Sequence, residues 1–461
     1  MSRKAGEYEN PASESGTADR RTRVRRVSQN FFLHIHAPRV HVHSLKPTFS
    51  FGLGIILAAL FVIVILTGAV LMLYYTPSVD MAYRSVKDII FILPGGRLIR
   101  NVHRWAAQGM VIVAFLHLIR VFYTASYADG RARNWVIGVV MLVLILLSNF
   151  SGYLLPWDQL AYWAVTIGAN IASSTRELTD LLGITEYFDP GGFFKRMLIG
   201  GETVGQAALT RFFMLHVIFL PLTLLLLTGW HFWRIRKDGG LSRPLKCKTG
   251  ESWLAWPVLM WTEAALFLVT LLTVFVLGLL FNAPLLEMAD PLHPGNPAKS
   301  PWYFLGIQEL VSYSAFTGGF LVPVLYLIFL FSIPFKDREK ESIGLWFGSK
   351  PALGWVLWSA LASALFVILQ LFVMIRFGWL RDWFPGGSQW YIMLINPASL
   401  TALACILAGQ LTLRRTRSTR IAVLVLFSAA LAALIVFTLV GNVFRGPNWD
   451  FFWSPAAWPR L

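Results

Sequence analysis

Cysteine is nearly missing from this sequence, which has only Cys247 and Cys405 among its 461 residues. The two lie far apart along the chain and are separated by several apolar segments. They cannot form the disulfide framework that stabilises small secreted domains, so that class of fold is excluded.

Charged residues are also scarce, and acidic residues are the scarcer kind. Only 14% of the residues are charged, with 24 Asp and Glu against 40 Lys and Arg, whereas 56% are hydrophobic. This is the composition of a polytopic membrane protein. The net charge of +16 does not indicate a nucleic-acid partner, because basic residues in such chains concentrate in cytoplasmic loops and no soluble basic domain is present.

The first 28 residues are polar and arginine-rich, and they lack an apolar core. A cleavable signal peptide needs such a core, so none is predicted, and the first apolar span should act as its own insertion signal. We expect this tail to lie in the cytoplasm against anionic lipid. With the following stretch of mixed apolar residues and histidines, it forms the first predicted region, residues 1–47, a cytoplasmic tail and surface helix.

Long apolar runs are what this sequence has in abundance. Nine spans are predicted, at about 50–74, 103–125, 135–155, 211–233, 254–281, 319–334, 352–377, 397–413 and 420–442. An odd number places the two ends of the chain on opposite sides of the membrane. With the amino terminus inside, the tail and cytoplasmic loops hold roughly 25 of the 40 Lys and Arg, as the positive-inside rule requires. The predicted fold is therefore all-α, a polytopic transmembrane helical bundle.

Two of these spans each contain a pair of histidines. His103 and His117 are fourteen residues apart, a step of about 1400° on an α-helix, so both lie on nearly one face and roughly 21 Å apart. His216 and His231 are fifteen residues apart, which misses alignment by about 60° and spans roughly 22 Å. Antiparallel packing of the two helices would bring one histidine from each together at two depths. That is the geometry for two stacked bis-histidine haems.

A packing or proton-relay role is the alternative for each histidine, since a lone histidine inside a membrane is more often a hydrogen-bonded residue than a metal ligand. Two pairs at matching spacing favour iron, which occupies the imidazole lone pairs. On the predicted topology, His103 and His216 lie near the outer side, and His117 and His231 near the cytoplasmic side. No Cys-x-x-Cys-His motif occurs, so the haems would be non-covalent and b-type.

Two glycine pairs repeat the fourteen-residue interval, Gly54 with Gly68 and Gly138 with Gly152. A haem is a flat plate, and a helix that touches it needs positions without a Cβ atom. Ordinary helix packing through small residues is the alternative for any one glycine. The shared interval favours contact with haem.

Three arginines flank the histidines at the membrane edges, namely Arg100, Arg120 and Arg211. A guanidinium group binds carboxylates in a forked geometry, which suits haem propionates. Binding to lipid phosphate is the alternative for each of them. We predict that all three contribute to cofactor binding.

Several stretches carry a family resemblance. Residues 102–105 read Val-His-Arg-Trp, 117–120 read His-Leu-Ile-Arg, 151–159 read Ser-Gly-Tyr-Leu-Leu-Pro-Trp-Asp-Gln, and 210–216 read Thr-Arg-Phe-Phe-Met-Leu-His. They closely resemble the cytochrome b subunit of quinol:cytochrome c oxidoreductases. The fifteen-residue interval and the Pro-Trp-Asp-Gln stretch are similar to the photosynthetic branch, in which the amino-terminal four-helix part is a separate chain.

The resemblance divides the chain after the tail. Residues 48–240 are expected to form a four-helix di-haem core, and residues 241–378 resemble the three-helix partner subunit, which contributes to the outer quinol site. Residues 379–461, two further spans and a periplasmic tail, have no counterpart that we can assign. The aromatic end of this tail could dock a partner protein, but an aromatic belt at the membrane interface is favoured.

The resemblance implies a quinol oxidase that works by a Q-cycle with proton translocation. Quinol would be oxidised near the outer face, with one electron passing to a Rieske iron–sulfur protein and then a c-type cytochrome. The other electron would pass through the two haems to quinone near the cytoplasmic face. A homodimer in the bacterial inner membrane is expected. The rivals are a di-haem quinone-linked anchor of another oxidoreductase and a haem-free proton-coupled transporter.

The outer quinol site departs from the family pattern. The family carries Pro-Glu-Trp-Tyr, whose Glu accepts a proton from quinol, but the aligned residues here are Ser300-Pro301-Trp302-Tyr303. Since quinol oxidation still needs a proton acceptor, Glu309 or Asp158 is predicted to take this role beside Tyr303. The alternative for Glu309 is a carboxylate paired with an arginine or a backbone amide.

Two further departures concern the cytoplasmic side. The photosynthetic branch fastens an extra haem through a cysteine, and the aligned residue here is Gly52, so no covalent haem is expected. The inner quinone site is poorly specified. Arg234, Lys237, Asp238 and Glu251 should lie beside the inner haem, but a solvated basic loop is favoured for most of them.

Overall fold

The computed structural model describes residues 39–42, 46–244, 252–337 and 339–459. The predicted amino-terminal tail, Cys247 and Glu251 lie outside the described residues. Within the described residues, regular structure is almost entirely helical, as predicted. The one exception is a pair of three-residue antiparallel strands, β1 (Arg39–His41) and β2 (Ser252–Leu254). Residues 39–41, which we expected to lie in a surface helix, are therefore extended.

The first half of the chain forms a bundle of long helices with short helices between them. In order these are α1 (Pro47–Ser50), α2 (Leu53–Tyr74), α3 (Ala82–Phe91), α4 (Gly96–Tyr123), α5 (Ala132–Leu154), α6 (Gln159–Ala172), α7 (Arg176–Leu181), α8 (Pro190–Ile199), α9 (Gln206–Met214) and α10 (Leu220–Lys237). Residues Leu215–Phe219 form a π-helical turn that joins α9 and α10 into one continuous rod. Each long helix satisfies its backbone hydrogen bonds internally, as lipid requires.

The second half continues the same pattern. Its helices are α11 (Val258–Leu280), α12 (Trp302–Tyr313), α13 (Val322–Lys336), α14 (Lys350–Phe377), α15 (Leu380–Trp383), α16 (Gln389–Leu394), α17 (Pro397–Thr416) and α18 (Thr419–Leu439). Further π-helical turns lie at Thr317–Leu321, before α13, and at Val440–Phe444, after α18.

Eight helical stretches in the described residues are long and apolar enough to cross a membrane. The remaining predicted span forms α17, whose 20 residues match a hydrocarbon thickness of about 30 Å but which is less apolar. Arg414 and Arg415 in its last turn account for part of that difference. The chain is a polytopic membrane protein.

One apolar core connects both halves of the chain. It takes buried side chains from α2, α4, α5, α10, α11, α13, α14 and α18. Phe122 of α4 stacks on Phe427 of α18 with ring centroids 3.9 Å apart, and Trp135 of α5 donates through Nε1 to the Leu330 carbonyl of α13 at 2.7 Å. The last helix therefore packs directly on the histidine-bearing bundle.

Polar side chains set the starts of several helices. Asp158 caps α6 by accepting from the backbone N–H of Ala161, and Ser418 caps α18 by accepting from Ile421. Such a cap satisfies an otherwise free N–H group and stabilises the helix by about 1 kcal/mol. The Asp158 cap also fixes the loop that borders the site described next.

Candidate functional site

His103 of α4 and His216 of the π-helical turn before α10 form the first histidine pair. Their ring centroids are 6.2 Å apart and their planes are inclined at 80°. They belong to different helices, and the second histidine of α4, His117, likewise faces the second histidine of the other helix, His231. The two helices therefore run in the same direction, and the antiparallel packing expected from the sequence is wrong. The pairing expected from the spacing is present.

Hydrogen bonds fix the orientation of both rings. His216 donates from Nδ1 to the Ser148 carbonyl at 2.9 Å, which leaves its Nε2 with the free lone pair. Thr67 donates to the Ile63 carbonyl at 2.6 Å, so its oxygen accepts from Nδ1 of His103 at 3.0 Å. An Nδ1 held by an acceptor is the usual support for an imidazole that binds metal through Nε2.

The second pair consists of His117 and His231, which lie within electrostatic reach of each other. Nδ1 of His231 lies near the Asn134 carbonyl but outside hydrogen-bond geometry, so it is a buried polar atom without a partner in the described residues. The α4 members of the two pairs, His103 and His117, lie fourteen residues apart along the helix, so the two pairs lie at different depths.

The π-helical turn explains how unequal intervals give matching pairs. Its i→i+5 hydrogen bonds absorb one extra residue, so the fifteen residues from His216 to His231 act as fourteen α-helical steps. The mismatch of about 60° expected for an ideal helix thereby becomes the same offset of about 40° that separates His103 from His117 on α4. Pro221 lies just after the turn and offers no N–H to the Val217 carbonyl, which favours the wider turn.

A glycine packs against the ring of each of the four histidines. The distances from a Cβ atom built on the glycine to Cε1 of the histidine are 3.7 Å for Gly54 and His117, 3.1 Å for Gly68 and His103, 3.8 Å for Gly138 and His231, and 2.5 Å for Gly152 and His216. Two glycines come from α2 and two from α5, one on each side of the histidine helices. A larger residue at Gly152 would overlap the imidazole directly.

A cavity of about 350 Å³ surrounds the first pair. Its walls come from α2, α4, α5 and the α9–α10 rod, and it reaches the loop after α11. The polar residues on its wall include Arg100, Arg104, Gln108, Tyr153 and Asp158. This cavity brings the histidines together with groups that can bind a polar ligand.

The arginines have different surroundings. Arg100 lines the cavity and donates to the carbonyls of Ala283 and Pro284 at 2.8 and 2.7 Å. Arg211 instead donates to the carbonyls of Arg196 and Met197, and it is not among the described residues that line the cavity. The predicted contact of Arg211 with a cofactor therefore has no support from its position.

Arg120 is buried on α4, three residues after His117 of the second pair. It donates from Nε to the Phe49 carbonyl at 3.0 Å, while its Nη2 is buried without a partner in the described residues. A buried guanidinium nitrogen that lacks an acceptor is suited to bind a carboxylate. This is the arrangement predicted for a propionate.

Arg104 was not predicted as a site residue, although it follows His103 directly. Its guanidinium lies over the Tyr153 ring, 4.9 Å from the centroid, and both residues line the cavity. The sequence signals were its place next to His103 and its membership of the Val-His-Arg-Trp stretch at residues 102–105. Helix geometry turns Arg104 about 100° from His103, so only tertiary packing decides whether it reaches the site.

The three residues predicted for quinol chemistry also have different surroundings. Asp158 is buried and lines the cavity, where its Oδ2 accepts from the backbone N–H of Leu286 at 3.0 Å. Glu309 is completely buried, but it pairs with Arg445, 2.6 Å from Oε1 to Nη2, and is not among the described residues that line the cavity. The alternative weighed for Glu309, a carboxylate paired with an arginine, is therefore present in the structure.

Tyr303 is not among the described residues that line the cavity, but it lies near two that do, Arg104 and Tyr153. It begins α12 next to Trp302, whose Nε1 donates to Oε1 of Gln108 at 2.7 Å. The Tyr303 hydroxyl is buried and has no partner in the described part of the chain. Burial raises the pKa of Tyr303, which Arg104 partly offsets, so the phenol stays protonated at physiological pH.

At the other end of α10, the buried Arg234 forms an ion pair with the partly buried Asp238, with 2.9 Å between Nη2 and Oδ1. Arg131 donates to the Asp238 carbonyl at 3.0 Å. Nε of Arg234 and Oδ2 of Asp238 are buried without partners in the described residues. Arg234 is thus buried, contrary to the solvated loop favoured from the sequence.

These features define a membrane helical bundle whose core holds two histidine pairs with glycines packed on the rings. The chain belongs to the cytochrome b family of membrane electron-transport proteins. The sequence model described as Cytochrome b/b6/petB matches residues 41–239. Cytochrome b6 of Prochlorococcus marinus is 41% identical over 193 residues, 42% of this chain and 83% of that protein. Cytochrome b6 of a Synechococcus species is 40% identical over the same shares.

A solved structure extends the likeness in fold to most of the chain. A chain titled "Hyperthermophilic respiratory Complex III" matches with a TM-score of 0.60 over 92% of this chain and 97% of that chain. Its sequence identity is 23%. The fold found here therefore covers helices well beyond the region matched to cytochrome b6.

Cytochrome b proteins bind b-type haem, and the residues of this chain fit that group. Hydrogen bonds at Nδ1 orient the rings of the first pair so that Nε2 is available to bind metal. A glycine, which has no side chain, lies beside each of the four rings. The unpartnered Nη2 of Arg120 suits a propionate. The chemistry and shape of the site thus agree with the family.

Proposed function

We propose that this chain is the cytochrome b subunit of a bc-type quinol:cytochrome c oxidoreductase that conserves energy by a Q-cycle. The observation that carries the proposal is the pair of histidine couples at two depths of one bundle, each ring backed by a glycine. His103 and His216 would hold one non-covalent b haem, and His117 and His231 the other. When bound, the haems supply two one-electron carriers across the membrane.

Quinol oxidation is assigned to the cavity beside the first pair. Asp158 is the proposed proton acceptor because it lines this cavity, whereas the Glu309 carboxylate is held by Tyr313 of α12 and by Arg445 and Trp449 after α18. Tyr303 and Arg104 are proposed to bind the quinol oxygens. A protonated phenol donates a hydrogen bond, and an arginine stabilises negative charge as the proton leaves.

Quinone reduction is assigned to the neighbourhood of His231. The Arg234–Asp238 pair offers a carboxylate oxygen and a guanidinium nitrogen without partners, and reduction of quinone consumes protons there. Asp238 would deliver a proton while Arg234 holds the quinone oxygen. Lys237, on the same turn, is exposed and would supply positive charge at the entrance.

The partners and the orientation belong to the same proposal. A Rieske iron–sulfur protein and a c-type cytochrome would take electrons on the outer face, and the subunit would form a homodimer. The charge distribution of the loops supports an amino terminus in the cytoplasm. The proposed location is the inner membrane of a bacterium. Crossing of the membrane by α17 keeps the two chain ends on opposite sides.

One purification tests the proposal against its rivals. The complex, isolated in mild detergent, should contain two b haems per chain, co-purify with a Rieske protein and reduce cytochrome c with quinol. Two haems without a Rieske protein would instead indicate the anchor of another oxidoreductase. A preparation without haem absorbance would indicate a transporter and overturn the assignment.

A further inference from the structure

A buried cluster links the end of the chain to the helix that carries Tyr303. Arg445 follows the π-helical turn after α18, and its Nε donates to Oε1 and Oε2 of Glu309 at 3.1 and 3.0 Å. Trp449 donates from Nε1 to Oε2 at 3.0 Å, and Tyr313 donates its hydroxyl to Oε1 at 2.5 Å. Both carboxylate oxygens are therefore held by donors.

The arginine is itself held in place. Nη1 of Arg445 donates to the Trp449 carbonyl at 2.8 Å, and its backbone forms a bridge with Phe451. The hydrogen bonds raise the pKa of Arg445 although burial lowers it, so the guanidinium stays charged. The result is an ion pair between two charged groups, both buried, which is costly to break from one side.

The same region packs closely along α12. A Cβ atom built on Gly306 would lie 2.5 Å from Oγ1 of Thr438 on α18. Glu309 is six residues after Tyr303 on this helix, roughly 9 Å along its axis. The position of Tyr303 therefore depends on how α12 is seated against α18 and on the Glu309 cluster.

We propose that Arg445 is a positioning residue for the outer quinol site: by holding Glu309 it keeps α12 in the position in which Trp302 bonds to Gln108 of the cavity wall and Tyr303 lies beside Trp302. This inference rests on the proposed function. It gives the terminal region, which the sequence comparison with the family left unassigned, a role in quinol binding. It also gives Glu309 a role that needs no proton transfer.

The chain contains a matched control at the other end of α18. Arg420 is 3% exposed and forms a buried ion pair with Asp337, whose Oδ2 also accepts from the Tyr127 hydroxyl at 2.6 Å. It lies 25 residues before Arg445, roughly 37 Å along the helix. Loss of either arginine leaves a buried carboxylate without its partner.

The experiment compares R445Q, R445K and R420Q in the intact complex. Turnover is measured against quinol concentration, alongside haem content, the reduced spectrum and the melting temperature. We expect R445Q to raise the KM for quinol about tenfold with an unchanged haem spectrum, and R445K to recover most of the loss. R420Q should lower the melting temperature similarly but keep the wild-type KM.

A milder variant covers the case in which R445Q does not assemble. Trp449→Phe removes one donor to Glu309 but leaves the ion pair, so a KM increase of about threefold is expected. If R445Q, or W449F where R445Q does not assemble, has the same KM for quinol as wild type and R420Q, the inference is overturned and the proposed function stays intact. A wild-type complex that cannot oxidise quinol would overturn both.

Discussion

A Cβ atom on Gly152 would lie 2.5 Å from Cε1 of His216 and 3.0 Å from its Nε2, the nitrogen left free to bind metal. The glycine is thus needed for the ring to occupy its place. It stands fourteen residues from Gly138, which packs on the second histidine of the same helix. The glycine spacing and the histidine spacing belong to one arrangement.

Gly152→Ala should reduce occupancy of the first haem site. Overpacking of this kind costs about 1–3 kcal/mol, which corresponds to a loss in affinity of about 5- to 160-fold. Haem per chain should fall from two toward one, as measured by a pyridine haemochrome assay. Gly229→Ala on α10 is the control, because a Cβ atom there meets nothing within 4 Å. Equal haem content in the two variants would contradict the role of Gly152.

Thr67→Val should weaken the first haem site without emptying the second. It removes the oxygen that accepts from Nδ1 of His103, and loss of such a supporting hydrogen bond typically costs about 10–100-fold in metal affinity or activity. A redox titration should show one altered component of two. Thr273→Val, which loses only a bond to its own helix, should leave both components in place.

Arg120→Gln should lower the midpoint potential of the second haem. Removal of a buried positive charge near a haem favours the oxidised, more positive iron. The first component of the titration should keep its potential, because Arg120 lies near the other end of α4. A shift confined to the first component would show that Arg120 serves the other site.

Asp158→Asn should lower kcat for quinol oxidation by about 10²-fold, since general-base catalysis typically contributes at least that factor. Asn remains a good helix cap, so the melting temperature should stay close to that of wild type. Asp189→Asn, which changes the cap of α8, is the matched control and should keep full turnover. Wild-type turnover in D158N would remove Asp158 from the mechanism.

Tyr303→Phe should raise the KM for quinol and leave the alkaline limb of the pH profile unchanged. Burial raises the pKa of Tyr303, so its phenol is protonated below that value and does not ionise in the working range. Wild type should therefore show no loss of turnover from this group between pH 8 and 10. A break in that range that disappears in Y303F would mean that the phenol titrates.

The sequence was a good guide wherever function depends on spacing along one helix. The histidine intervals of fourteen and fifteen residues predicted that His103 would meet His216, and the fourteen-residue glycine intervals predicted that glycines would accompany the histidines, because helix periodicity sets those positions along each helix. The direction expected for the two helices was wrong, since they run parallel. The sequence was a poor guide to contacts between helices. Arg211 was expected at the cofactor but bonds to the end of α8, whereas Arg104, beside His103, does reach the cavity.

The amino-acid order by itself determined a helical membrane protein, its apolar spans, and two histidine pairs at two depths, since hydropathy and helical periodicity are local properties. Only the tertiary structure decided that a π-helical turn compensates for the extra residue between His216 and His231. It also decided that Asp158, rather than Glu309, faces the cavity. Those outcomes depend on which groups from distant helices meet. Glu309, for example, forms an ion pair with Arg445, which is 136 residues away along the chain.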